Sequence, residues 1–254
     1  MDPKKRLYIL AGALVLSLII LLVIIVSQGR NAEGPTNGIV NGDFSCGDSF
    51  TYQEVEYGTV EVGNQCWMAE NLNVTKYADG SAIPNLIESN DWANDKEGAY
   101  ACYLDAVENC NTYGALYNWY AVNNEAGLCP AGWSVPTHNQ WADLERSVCG
   151  ALGNPDCSET FPDNGLMDWR GTNEGLHLRS ETLEGLNTYG FNAIFGGFRN
   201  PNGPFSFVDE SGFWWTSSSS EDFVKGRIMD MANQGVRRIE SMRSSGFSVR
   251  CVQN

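Results

Sequence analysis

From Leu7 to Val26 the chain is apolar without a charge, interrupted only by small or weakly polar residues such as Gly12 and Ser17. About 20 such residues, rising about 1.5 Å each, cover a hydrocarbon core of about 30 Å, so the run predicts a membrane-spanning helix. Lys4, Lys5 and Arg6 precede it and Arg30 follows. This basic bias keeps residues 1–6 in the cytoplasm as a stub and places the rest of the chain outside. Ser27-Gln28-Gly29 offers small residues for a signal-peptidase cut, but the apolar run exceeds the roughly 7–15 residues of a signal h-region. An uncleaved signal anchor over 7–26 is therefore expected. A pilin-type leader also places basic residues ahead of a long apolar helix. It usually carries a glutamate near the helix start, and none lies between Leu7 and Val26.

Residues 27–43 are rich in Gly, Asn, Pro and Ser and read as a stalk. The 44–254 remainder is long enough for one sizeable domain, with no internal repeat and no second linker. Its clearest helix starts at Thr137, where Thr137-His138-Asn139-Gln140 has the form of a capping box. Trp141, Leu144, Val148 and Leu152 then recur every three or four positions and share one face. A second helix is expected from near Tyr117 through Val122 to about Gly127. Lys225–Met231 and Val236–Met242 flank Ala232-Asn233-Gln234-Gly235 and predict a hairpin, and Phe247–Val252 predicts a terminal strand. Elsewhere short alternating runs among glycines and aromatics predict strands and long loops.

Several stretches form an ordered set: Asn64-Gln65-Cys66-Trp67-Met68-Ala69-Glu70-Asn71-Leu72, Tyr113-Gly114-Ala115-Leu116-Tyr117-Asn118-Trp119 and Cys129-Pro130-Ala131-Gly132-Trp133-Ser134-Val135-Pro136. Tyr189-Gly190-Phe191-Asn192-Ala193, Gly196-Gly197-Phe198-Arg199, Gly212–Ser218 and Gly246-Phe247-Ser248-Val249-Arg250-Cys251 continue it. From about Gly58 to Val252 the chain resembles the Fibrobacter succinogenes major paralogous domain, a repeated bacterial surface domain. The resemblance implies architecture more than activity. Together with the loop-rich, helix-poor pattern it implies an α+β fold similar to C-type lectins, a scaffold shared with formylglycine-generating enzymes and with the variable receptor-binding proteins of diversity-generating retroelements. Fold alone does not fix activity.

All eight cysteines follow the apolar run, and an even count on the exported side reads as four disulfides. Eight cysteines allow about 105 pairings. Local spacing and the family pattern favour Cys102–Cys110 and Cys149–Cys157 as short staples, Cys46–Cys66 as a link from the linker to the first strand, and Cys129–Cys251 across the domain. No C-x-x-C pair occurs and neither His138 nor His177 lies near paired cysteines, which argues against zinc.

The chain carries 31 acidic and 16 basic residues, and of the acidic ones only Asp2 precedes the apolar run. Nucleic acid is excluded as a natural partner, since phosphate binding needs a basic face. Glu88, Asp91, Asp95 and Glu97 cluster in one loop, and such oxygen ligands suit calcium. Their spacing is not that of an EF-hand, and the Glu-Pro-Asn and Gln-Pro-Asp motifs of sugar-binding C-type lectins are absent, so a solvated acidic loop and no cofactor are expected. Trp214-Trp215 before a run of hydroxyl residues invites a sugar-stacking reading. Neighbours on a strand point to opposite faces, however, so one tryptophan is expected in the core and the other capping a loop, and core is the better expectation. His138, in the first turn of a helix without an acidic or nucleophilic partner by spacing, is expected at the surface. Glu70-Asn71 is expected to satisfy buried backbone groups.

These readings converge on a single-pass membrane protein whose extracytoplasmic domain binds a surface polysaccharide or protein and is not an enzyme. Contacts are expected on the loop after Trp215 and the following hairpin, at Glu221, Asp222, Arg227, Asp230, Arg237 and Arg238. Two rivals remain: an envelope or filament subunit, and an oxidase similar to formylglycine-generating enzymes, which needs a reactive cysteine pair.

Overall fold

The computed structural model describes residues 44–163 and 167–254. The expected cytoplasmic stub, spanning helix and stalk (1–43) lie outside the described residues. No helix among the described residues is long and apolar enough to cross a membrane.

Helices and strands are mixed, and the strands form two main sheets. The larger has nine strands, in the order Tyr100–Ala101, Leu116–Asn118, Gly246–Phe247, Gly196–Arg199, Ser211–Ser219, Val224–Asp230, Val236–Ser241 and Asp168–Arg170, with Phe205–Val208 pairing off the path on Gly196–Arg199. The smaller runs Thr59–Val62, Gln65–Met68, Val252–Gln253 and Trp133–Ser134. A separate hairpin joins Phe50–Tyr52 to Val55–Tyr57.

The capping box forms as the sequence predicts: Thr137 accepts from the Gln140 backbone, and the Gln140 side chain accepts from the Thr137 backbone. The helix runs His138–Ala151 and buries Trp141, Leu144 and Val148. The expected hairpin also forms, with Val224–Asp230 antiparallel to Val236–Ser241.

Two expected elements differ. The helix near Tyr117 shrinks to Trp119–Val122, because Leu116–Asn118 is a strand and Asn118 caps the turn that follows by accepting from Ala121 N. The terminal strand divides. Gly246–Phe247 joins the large sheet and Val252–Gln253 the small one, and Ser248 to Cys251 cross between them. That crossing is fastened by backbone bonds from Trp215 N to Ser248 O, Leu72 N to Val249 O and Met68 N to Cys251 O. The expected four disulfides are present, Cys46–Cys66, Cys102–Cys110, Cys129–Cys251 and Cys149–Cys157. Cys66 lies on the strand Gln65–Met68, three strands later than expected.

Strand Ser211–Ser219 divides the core. Trp214 enters a cluster with Trp67, Trp141, Phe191 and Phe195, whereas Phe213 and Trp215 enter another, where Trp215 stacks on Phe247 at 4.1 Å. Both tryptophans are fully buried, so the period-2 alternation feeds two cores and offers neither ring to a sugar. Gly197, on the neighbouring strand, has φ of 63°, and any side chain there would press on Ser206 O and Val208 N.

Candidate functional site

The six residues expected to contact a ligand do not form one surface. Glu221, Asp222 and Arg237 are exposed and Asp230 is half-buried, where its carboxylate accepts from Asn233 N at 2.7 Å and orders the hairpin turn. Arg227 and Arg238 are completely buried, which corrects their assignment to a binding surface. They stand directly opposite each other on adjacent strands and share one carboxylate. Glu145 accepts from Arg227 Nε on one oxygen and from Arg238 Nη2, at 2.7 Å, on the other. Like charges directly across a strand pair repel, and the shared anion reverses that. Of the remaining donors, Arg227 Nη2 reaches His138 O at 3.1 Å and Arg227 Nη1 reaches Gly226 O at 3.2 Å, while Arg238 Nη1 donates to Pro162 O. Burial pulls the Arg227 guanidinium below its ordinary value, and Glu145 opposes the shift.

His138 is also buried, contrary to its expected surface place. Its Nδ1 lies 3.2 Å from Arg227 Nη1, and because a guanidinium only donates, Nδ1 is the accepting nitrogen. Glu145 was not anticipated, although a signal existed. It falls four residues after Trp141 and three before Val148, on the same face as the apolar stripe, where a charge requires buried partners.

The sequence motifs resolve into a second set of buried polar anchors. Asn71 Oδ1 accepts from Trp214 Nε1 at 2.8 Å and from Arg250 Nη2 at 2.7 Å, while its Nδ2 donates to Tyr113 O at 2.9 Å. Glu70 accepts from Gly58 N at 2.9 Å. Only Asn71 thus serves buried groups, side chains as well as backbone; Glu70 is exposed and its bond lies at the surface, which corrects its expected role. Burial draws Arg250 down to about 9, against the attraction of Glu70, and its guanidinium lies 4.3 Å above the Phe191 ring. Arg199 donates to Gly203 O at 2.8 Å and Ile87 O at 2.7 Å and sits 4.4 Å over Trp92. These residues bind the chain to itself.

His177 Nδ1 meets Thr188 Oγ1 at 2.7 Å. The expected acidic loop contains a short helix, Ser89–Asn94, and Asp95 at its end accepts from Gly98 N at 3.0 Å and Asn118 Nδ2 at 2.7 Å, which ties this segment to the turn at Trp119. No group of three or more metal-ligating side chains is assembled among the described residues.

Among the grooves on the described surface are two of about 320 Å³. One lies between Leu128, Trp133, Val135 and Ser217. Its hydroxyls are largely engaged, since Thr137 caps the helix and Ser134 Oγ donates to Asn254 Oδ1 at 2.6 Å. The other lies between the Phe50–Tyr57 hairpin, the 73–75 segment and the helix Val107–Tyr113.

No curated protein and no solved structure gives a match to the chain. The profile described as the Fibrobacter succinogenes major domain matches residues 60–253, which span the two sheets, the central helix and all the motif anchors described above. The chain belongs to the Fibrobacter succinogenes major domain family.

Proposed function

We propose that this protein is a membrane-anchored extracytoplasmic binding module of C-type lectin-like architecture, contacting a polysaccharide or protein ligand at a bacterial surface. The observation that carries the reading is the closure of all eight cysteines into four disulfides, with no free thiol left. Such a set is stable in an oxidising compartment and withholds the thiolate that an oxidase of the formylglycine-generating type requires. The buried ionic groups point the same way. Glu145, Arg227, Arg238 and Arg250 are all engaged inside the fold, which suits a rigid scaffold presenting loops and grooves. The strongly acidic composition beyond the apolar run suits a soluble exposed domain.

The test is a surface-binding assay with the full chain. Cells displaying it are compared with cells lacking it for retention on insoluble polysaccharides and on whole-cell envelopes, and protease is applied to the intact cells. The reading expects retention that protease abolishes. Equal retention of both cell types removes the binding role, and purification of the chain as polymers favours the filament subunit.

A further inference from the structure

We propose that the groove between the Gln53–Glu54 turn and the helix Val107–Tyr113 is a binding site for a short run of a neutral saccharide, an assignment that rests on the binding-module reading and names its site and ligand class. At about 320 Å³ the groove is at the small end of the roughly 300–1,000 Å³ range of ligand pockets, a size for a few sugar rings or fewer.

The floor and walls are held rigidly. Tyr57 Oη accepts from Asn73 N at 2.9 Å, and Tyr117 Oη accepts from Val74 N at 2.7 Å while donating to Val74 O at 2.8 Å. The backbone of 73–74 is therefore pinned from below. On the opposite wall the Cys102–Cys110 disulfide ties the helix to the chain just after the edge strand Tyr100–Ala101. Val107, Cys110 and Asn111 share one helix face by their spacing, and all three line the groove.

The rim carries strain. Gln53 and Glu54 form the two-residue turn of the hairpin, and both have positive φ, 48° and 68°. Turns of this form prefer Asn-Gly, and a side chain at both places is unfavourable. Gln53 is fastened there by two bonds to Lys76, donating to its carbonyl at 2.8 Å and accepting from its N–H at 3.2 Å. The strained turn thereby places Glu54 on the rim of the groove. Strain of this kind collects at ligand sites, and Glu54 forms no hydrogen bond or ion pair with the described residues that would otherwise account for its position.

The available chemistry selects the ligand. Asn73, Thr75 and Asn111 line the groove, and their side chains make no hydrogen bond to other described residues. Two amides and a hydroxyl can each donate and accept, which matches sugar hydroxyls. Tyr100 and Val107, the latter 63% exposed, supply apolar surface for the C–H faces of a ring. No lining residue is cationic and one is a carboxylate, so uronates and phosphates are repelled. Strand addition by a peptide is blocked at Tyr100. Tyr100 N already donates to Pro84 O at 2.9 Å, and Tyr100 O accepts from Leu86 N at 3.4 Å.

The experiment is calorimetric titration of the detergent-solubilised full chain with neutral tetrasaccharides built from glucose, xylose, mannose or galactose, beside a uronate tetrasaccharide and a Ser/Asn-rich peptide. At least one neutral tetrasaccharide should bind and the other two ligands should not. Asn73→Ala with Asn111→Ala should weaken that binding about tenfold or more at unchanged melting temperature. Glu54→Gly should weaken it while raising the melting temperature, because it relieves the turn. Preference for the uronate or the peptide, or unchanged affinity in both variants, overturns the assignment. If the variants keep the cell-surface retention of the parent chain, the groove assignment falls and the binding-module reading stands; if the parent chain is retained nowhere, both fall.

Discussion

Arg227 and Arg238 face each other across adjacent antiparallel strands, both without solvent contact, and are joined by the two oxygens of Glu145. Glu145 projects from the helix His138–Ala151, so a single carboxylate fastens the helix to the hairpin. Removing it leaves two buried cations uncompensated, and breaking such a group costs about 3–5 kcal/mol. Glu145→Gln should lose about that much in denaturant unfolding. A loss below about 1 kcal/mol would mean that the arginines find other partners.

Arg237 sits between these residues in sequence and points to solvent. Arg237→Ala should change stability by less than about 0.5 kcal/mol, whereas Arg238→Ala should destabilise strongly, since it strands a buried carboxylate oxygen. Parallel melting curves of the two variants check the contrast.

This contrast shows what the sequence could and could not disclose. The hairpin, the capping box and the buried face of the central helix were legible because each is a local pattern: a turn between alternating strands, a cap, a period near 3.6. The alternation Val236, Arg238 held an unread signal that Arg238 faces inward with Val236, and no local rule names a partner 93 residues away. The division of the final strand between two sheets was hidden for the same reason, since both sheets compete for a continuous extended segment. One tryptophan of the Trp214-Trp215 pair was legible as core; that the other is buried too, in a separate core, was not. The groove beside Tyr100 escaped notice because its walls come from three distant segments and its polar residues are individually ordinary.

Asn71 collects donors from two other motifs. In Asn71→Leu, Trp214 Nε1 and Arg250 Nη2 lose a buried acceptor. Each unsatisfied group costs about 1–3 kcal/mol. Urea unfolding should register the sum of the two losses, and a near-neutral result would place water or another acceptor at that point.

Burial raises the Tyr117 hydroxyl well above its ordinary value and raises Tyr57 as well. Above pH about 10 the unfolded chain releases protons that the folded chain retains, so stability falls as pH rises through that range. Tyrosinate absorbance should therefore show a late cooperative step that coincides with loss of circular dichroism. Smooth ionisation of all ten tyrosines with the fold intact would contradict the buried floor of the groove.

The four disulfides differ in leverage. Cys129–Cys251 closes 122 positions, for which chain entropy gives about 5 kcal/mol, and Cys102–Cys110 closes 8, for which it gives about 2–3 kcal/mol. Replacing each pair by serine should rank the losses in that order in denaturant unfolding. Equal losses would point to native-state contacts of the sulfurs as the dominant effect.

Closure of all eight cysteines carries both the proposed exported location and the proposed absence of thiol chemistry. The most direct measurement is peptide mapping under non-reducing conditions, after thiol blocking, on the full chain isolated from its native envelope. The account predicts four linked peptide pairs, Cys46–Cys66, Cys102–Cys110, Cys129–Cys251 and Cys149–Cys157, with no blocked thiol. A blocked thiol at Cys129 or Cys251 would contradict it and return thiol-based oxidation to consideration.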